Sequence, residues 1–331
     1  MVSHCKLQTA NCKLPICIWL PQVANHTQVQ SLIALAFFLI GAAASGQSLP
    51  VTVATIDGEP VSVIEVEREL ATAYPNRKLE GSERKALLAR ARDQVIDRRL
   101  VLQRLARQGE AASDADVDHA LARLEKQVTD QGQNLDEHYV RLGTSRETVR
   151  QTLLWQLSWN AYLGKHLTDE NLSKYFERYR RDFDGTELKV AHILLKADVD
   201  DSAARAEATK QAESLRTQIA GGKLSFADAA REHSSGPSAN HGGDIGWISR
   251  REPMPESFSA AAFALKAGEV SPPVETTFGI HLIQVLEVKP GTKTRQDVAD
   301  RLKPAATLFL FRRLADQERM TARIVRVEGW P

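Results

Sequence analysis

Met254 and Phe258 stand four residues apart at the end of the stretch His233 to Phe258, HSSGPSANHGGDIGWISRREPMPESF. On a helix that spacing stacks a polarizable thioether and an aromatic ring on one face, which can line a small apolar pocket or serve as ordinary core. Pro253 and Pro255 suit the first turn of such a helix, where a missing N–H costs little, and Gly242, Gly243 and Gly246 make the preceding piece a glycine-dense loop. Two histidines form the second group. His192 falls in phase with Leu188, Val190 and Leu194, and His281 with Ile283 and Val285, so each imidazole lies on the apolar side of a strand. Buried there, each ring nitrogen needs a hydrogen-bond partner. Other chemistries lack their residues. There is no Gly-x-Ser-x-Gly nucleophile and no phosphate loop ending in Lys-Ser/Thr, and His233 and His241 near Asp244 have no metal-ligand spacing. No metal is expected.

The elements that must hold these residues follow from periodicity. Between the two histidine strands come a helix carrying Ala204, Ala208, Ala212, Leu215 and Ile219, stopped by Gly221 and Gly222, and a short helix opened by Ser225 with Phe226 and Ala229 inward. One strand, several helices and a closing hairpin predict an α+β domain of antiparallel type.

Five motifs of this region occur in one order: AHILLK, GGDIGW, the helix read as carrying Met254 and Phe258, GEVSPPVET and FGIHLI. In words and order, residues 187–290 resemble the parvulin (PpiC, rotamase) family of peptidyl-prolyl cis/trans isomerases. The resemblance implies isomerisation of X–Pro bonds without cofactor or covalent chemistry. It places Met254, Phe258 and Ile245 at the family's proline-binding positions, and His192, His281, Thr276 and Phe278 around the amide. Two departures stand out. Gly236 occupies a position where the family commonly has Cys or Asp beside the amide, with Ser234, Ser235 and Ser238 as the nearby hydroxyls, and Pro255 a position that is often polar. The loop ADVDDSAARAE carries Asp198, Asp200 and Asp201 where phosphate recognition would want Arg or Lys, so a phosphorylated substrate is disfavoured.

The 331 residues predict two domains plus an appendage, and a net charge of +1 points to neither nucleic acid nor an acidic partner. Cys5, Cys12 and Cys17 all precede the apolar run LIALAFFLIGAAA, Leu32 to Ala44, which is short for a membrane span and ends in small residues. Residues 1–46 therefore read as a signal peptide, or as an uncleaved anchor, of an exported protein that is periplasmic or extracellular. Asp57 and Gly58 predict a hairpin, and residues 51–168 a helical domain with capping boxes at Ser113/Asp116 and Thr144/Glu147. The pieces ATIDGEPVS, QVIDRRLVLQRLARQG and LGTSRETVRQTL are similar to the N-terminal chaperone region of secreted parvulins of the SurA and PrsA kind. That likeness implies unfolded, proline-containing exported polypeptides as partners. Residues 169–186 read as a charged helical linker with Arg178, Arg180 and Arg181 on a solvated face. Residues 294–331 read as a helix interrupted at Pro304 and a strand ARIVRV, a tail expected to pack on the N-terminal domain. Two functions follow: a folding isomerase, or a holdase chaperone whose parvulin fold keeps little turnover because of Gly236.

Overall fold

The computed structural model describes residues 51–75 and 77–330, so the apolar run and its cysteines lie outside the described residues. The described chain divides into two units, one running to Thr168 and resuming at Pro304, the other Asp169–Lys303.

The first unit opens with β1 (Thr52–Ile56) and β2 (Glu59–Ser62), joined by Asp57 and Gly58 at φ 53° and 93°. Two positive φ values in a two-residue loop give the turn whose twist matches antiparallel strands. Ser62 then caps α1 (Val63–Ala73): its hydroxyl accepts from Glu65 N, and Glu65 reaches back to Ser62 N. Helix α2 (Gly81–Arg107) buries Leu87, Leu88, Ala91, Val95, Ile96, Leu100, Val101 and Leu105, a broader stripe than the one face read from the sequence. Helices α3 (Asp114–Asp130), α4 (Leu135–Arg141) and α5 (Arg146–His166) follow. Ser113 caps α3 as expected. The cap of α5 is Ser145 rather than Thr144, because Thr144 N donates to Tyr139 O and so belongs to the close of α4. Trp155, Trp159 and Tyr162 stack along α5, with the Trp155 and Trp159 rings parallel at 5.6 Å.

The second unit begins with α6 (Asp169–Arg178) and α7 (Arg180–Phe183), two helices broken at Tyr179 where one was expected. The break turns Arg181 inward, and its Nη1 donates to Leu265 O at 2.6 Å, so this residue leaves the solvated face assigned to it. Next come β3 (Glu187–Lys196), α8 (Ser202–Ala220) and α9 (Phe226–His233). After a short 3-10 turn, Ala239–His241, the chain forms β4 (Asp244–Ser249), α10 (Glu256–Ala264), β5 (Val274–Thr276) and β6 (Gly279–Lys289). The strands make an antiparallel sheet in the order β4-β3-β6-β5. Strand β4 lies in the stretch read as loop: three glycines with positive φ and a register shift against Val190 and Ala191 erase its alternation. Both faces of the sheet are covered. Ala191, Ile193, Leu195, Ile280 and Leu282 pack under α8 and α9, while Leu188, Val190, Ile283 and Val285 pack with Phe258, Ala262 and Phe263 of α10.

A 3-10 turn, Gln296–Val298, leads into α11 (Ala299–Arg319), which runs through Pro304 without interruption. As the sixth residue of the helix, Pro304 gives up one hydrogen bond, to the Asp300 carbonyl, and the burial of Leu302 and Ala306 on either side of it offsets that loss. Met320, assigned to the buried stripe, is 86% exposed, whereas Leu302 and Leu314 are buried. Strand β7 (Ile324–Arg326) pairs with β1 and completes the sheet β2-β1-β7. Ion pairs fix the same segment to α2: Arg319 to Asp97, Arg326 to Asp93, and Glu318 to Arg104 and Arg107. Phe311 and Leu314 pack with Trp159 and Leu163. Truncation before Pro304 unpairs an edge of β1 and removes these contacts. Limited proteolysis should then cut residues 51–168 at least tenfold faster than in the full chain, and an unchanged rate would mean that the tail contributes nothing to the first unit.

Candidate functional site

Adjacent strands carry the two histidines to one face. Leu194 pairs with His281 and His192 with Ile283, so the rings sit diagonally on neighbouring strands. They lie nearly parallel with centroids 5.3 Å apart, and the Nδ1 atoms are 3.1 Å apart. Both are buried, and the Phe258 ring stands edge-on to each at 5.7 and 5.4 Å. On the far side, His281 Nε2 lies 2.9 Å from Thr276 Oγ1, and that hydroxyl accepts from Phe278 N at 3.0 Å.

Counting protons predicts the direction of this row. The Thr276 hydroxyl has one proton and two acceptors in reach, His281 Nε2 at 2.9 Å and Gly279 O at 3.5 Å. The shorter contact takes it. His281 then carries its proton on Nδ1 and donates to His192 Nδ1, which leaves the His192 proton on Nε2. The row therefore ends in an N–H donor beside Gly236: a β-carbon at that position would stand 3.2 Å from His192 Nε2.

Electrostatics keep the row neutral. Burial lowers the His192 pKa, and burial together with the His192 charge lowers that of His281 from 6.5 to about 4. Protons are thus taken up more readily by the unfolded chain. The pair's contribution to stability is complete above about pH 6.5 and is lost as the pH falls toward about 4.

Backbone contacts set the geometry. His192 N donates to Gly243 O, and at φ 84° a β-carbon on residue 243 would come within 2.5 Å of His192 O, so only glycine lets β4 approach here. Ser234 Oγ accepts from Leu194 N at 3.0 Å and from Gly236 N at 3.2 Å, tying the loop to β3. Arg205 on α8, which carried no signal in its alanine-rich helix, donates to Thr276 O and Asp198 O and pairs with Glu275. It holds the end of β5 that presents Thr276. Asp201 of the acidic loop caps α8 by accepting from Ala204 N.

The apolar residues are placed differently from their reading. Met254 is not on the helix: α10 starts at Glu256 with Pro255 as its cap. A residue before proline is driven out of the helical region, which explains the position of Met254. Phe258 is wholly buried, as a floor behind the histidines. Ile245 and Met254 are half-buried on the same cluster, and Phe278 is 60% exposed.

A small antiparallel sheet flanked by helices, with a neutral His–His–Thr row beside half-buried apolar side chains, is a parvulin-type rotamase fold. Residues 192–287 match the rotamase family described as PPIC-type PPIASE domain, and residues 25–154 match the SurA-like N-terminal domain. The chain is 33% identical to the foldase protein PrsA of Bacillus subtilis, over 53% of this chain and 53% of that protein. It is 28% identical to the chaperone SurA of Alkalilimnicola ehrlichii, over 80% of this chain and 63% of the relative. A crystal structure of a PpiC-type peptidyl-prolyl cis-trans isomerase domain aligns at 25% identity and a TM-score of 0.30, covering 34% of this chain and 98% of that one. The chain thus carries a PpiC-type rotamase domain together with a SurA-like N-terminal domain, and it spans less than two thirds of the length of these curated relatives.

Two outcomes follow for the histidine row. Long-range 1H–15N spectra at pH 7.5 should show His192 as the Nε2–H tautomer and His281 as the Nδ1–H tautomer; the reverse pair would refute the proton count. The urea midpoint of the wild type should fall between pH 6.5 and 5, and His281→Asn should flatten that slope.

Proposed function

We propose that the chain is a peptidyl-prolyl cis/trans isomerase that assists folding of exported polypeptides, binding unfolded, proline-containing segments without a cofactor. Its rotamase domain supplies the site, and its relatives named PrsA and SurA, described as a foldase and a chaperone, support a role in folding outside the cytoplasm. The leader read from the sequence at residues 1–46 supports a location in the periplasm or beyond the cell, free or at the membrane.

The single observation that carries the reading is the neutral row His192, His281, Thr276 set against the apolar group Ile245, Met254 and Phe258. Rotation about X–Pro faces a barrier of roughly 18–20 kcal/mol from amide resonance, and no bond has to break. A proline ring seated on Met254 and Ile245, over the Phe258 floor, is fixed and stripped of water while the preceding carbonyl turns. His192 and His281 stay uncharged, and His192 presents one N–H donor whose position does not change during the rotation. Phe278 closes the substrate side as the exposed aromatic after β5. Gly236 contributes no side chain, and this favours a second reading, a holdase that grips extended peptide with little turnover.

Exchange NMR on an Ala-Pro peptide separates the two. For the isomerase, the wild type should raise the cis/trans rate well above buffer and Met254→Ala should cut it about tenfold. Phe258→Ala is the weaker probe, because emptying a fully buried ring site costs about 3–5 kcal/mol of stability. A wild-type rate equal to buffer, with aggregation of an unfolded client still suppressed, supports the holdase.

A further inference from the structure

The short helix α7 grips α10 at both ends. Asp182 Oδ1 accepts from Arg250 Nε at 3.2 Å, and the same guanidinium forks onto the carboxylate of Glu256, the first residue of α10, at 2.9 and 2.7 Å. At the other end Arg181 Nη1 donates to the carbonyl of Leu265, one residue past the helix. Between these points α10 carries Phe258, and the Arg250–Glu256 fork closes the loop in which Met254 lies. Ser249 ties the near side of that loop, since its N–H and its hydroxyl both donate to Glu252 O.

Helix α7 is itself held in place. Asp184, the residue that follows it, is 3% exposed, and its carboxylate accepts from Thr186 N at 2.9 Å and from Thr186 Oγ1 at 2.7 Å. Its carbonyl accepts from Lys293 N at 2.9 Å and leaves no room for a β-carbon on Gly291. The grip on α10 therefore has a fixed base, where the chain enters β3 and leaves β6.

These polar contacts are a poor source of stability. Burial pushes the Asp182 carboxyl up despite the Arg250 charge beside it, and it is Glu256, ahead of Asp182, that holds the Arg250 guanidinium in its charged form. Arg181 buries Nε and Nη2 with no hydrogen-bond partner among the described residues. A partly buried ion pair and unpaired guanidinium nitrogens fix geometry while costing desolvation. What they fix is the proline side of the site. Asp182 also precedes residues 192–287, which match the rotamase family, so this support comes from the segment read as linker.

Resting on the isomerase reading of the same site, we propose that Asp182 and Arg250 are positioning residues of the proline pocket. Acting through Glu256 and the loop it closes, they set where Met254 stands relative to Phe258, and hence how tightly proline is held rather than how fast the held bond rotates. Rotation remains the task of the histidine row.

The test uses the full chain, as wild type, Asp182→Asn, Arg250→Met and the double variant, each labelled with 13C at the methionine methyls. The chain has three methionines, and Met320, 86% exposed in the first unit, serves as the internal reference for Met254. Each single variant should move the Met254 methyl signal and leave that of Met320 in place. Each should also weaken binding of an Ala-Pro peptide at least threefold, with the exchange rate at saturating peptide within twofold of wild type. In the Arg250→Met background Asp182→Asn should add nothing, because its effect runs through Arg250. Asp182→Asn keeps the shape of the side chain, so the test stands on it even where Arg250→Met does not fold. A lower urea midpoint with unchanged affinity and an unmoved Met254 signal overturns the positioning role, and so do additive losses in the double variant. Catalysed exchange by the wild type with full affinity in Asp182→Asn sinks the positioning role and leaves the isomerase standing. Weakened binding with the Met254 shift, but no exchange above buffer in the wild type, does the reverse. A wild type that binds no peptide overturns both.

Discussion

Two imidazoles can share a hydrogen bond only while at least one is unprotonated, and burial in an apolar layer keeps this pair neutral, a condition that governs the second unit. His192 and His281 come from neighbouring strands of the central pair, so their contact requires the register in which Leu194 faces His281. A slip of one strand by one residue would carry its ring to the opposite face, under α8 and α9, and part it from the other. The register is held by what lies on either side. Phe258 stands against both rings, Thr276 takes the outer nitrogen of His281, and Arg205 grips the carbonyl of Thr276 from a helix on the other side of the sheet. Polar satisfaction and apolar packing therefore specify the same strand alignment, as expected of a sequence whose local and global preferences agree.

The first unit is organised by a different constraint. Its small sheet has two strands from the beginning of the described chain and one that returns more than 250 residues later. A two-stranded hairpin alone is marginal, and the third strand, with Phe311 and Leu314 packed beside the α5 aromatics, gives it a core. The ion pairs of Arg319 and Arg326 with Asp97 and Asp93 are only partly buried. Burial pushes the Asp97 carboxyl up even though Arg319 donates to it, so these pairs add register more than net stability.

Much of this was legible because it is local. The Asp57-Gly58 turn, the Ser113 cap, the phase of both histidines and the helix between them are each set by neighbours within a few residues. The placement of Thr276 beside His281 came from resemblance alone, since no spacing in the chain reveals a side chain three residues before a β-hairpin strand as the acceptor's partner. Strand β4 was hidden because positive-φ glycines remove the alternation that marks a strand, and a bulge in β3 absorbs the mismatch. Met254 precedes the helix because Pro255, although suited to a helix start, excludes its own predecessor from the helical region. Arg205 and the inward turn of Arg181 depend on contacts about 70 and 84 residues away along the chain, beyond the reach of periodicity.

The late return of β7 has a consequence for biosynthesis. A polypeptide delivered from its amino end presents β1 and β2 first, then the whole of Asp169–Lys303, and only afterwards the strand that closes the first sheet. At about 5–20 residues per second, the hairpin waits on the order of ten seconds or more for its third strand. The intervening segment has all four of its own strands by then and can fold as an independent insert. The assembly order is thus the reverse of the order of emergence: the inner unit is finished while the outer one still lacks its last piece.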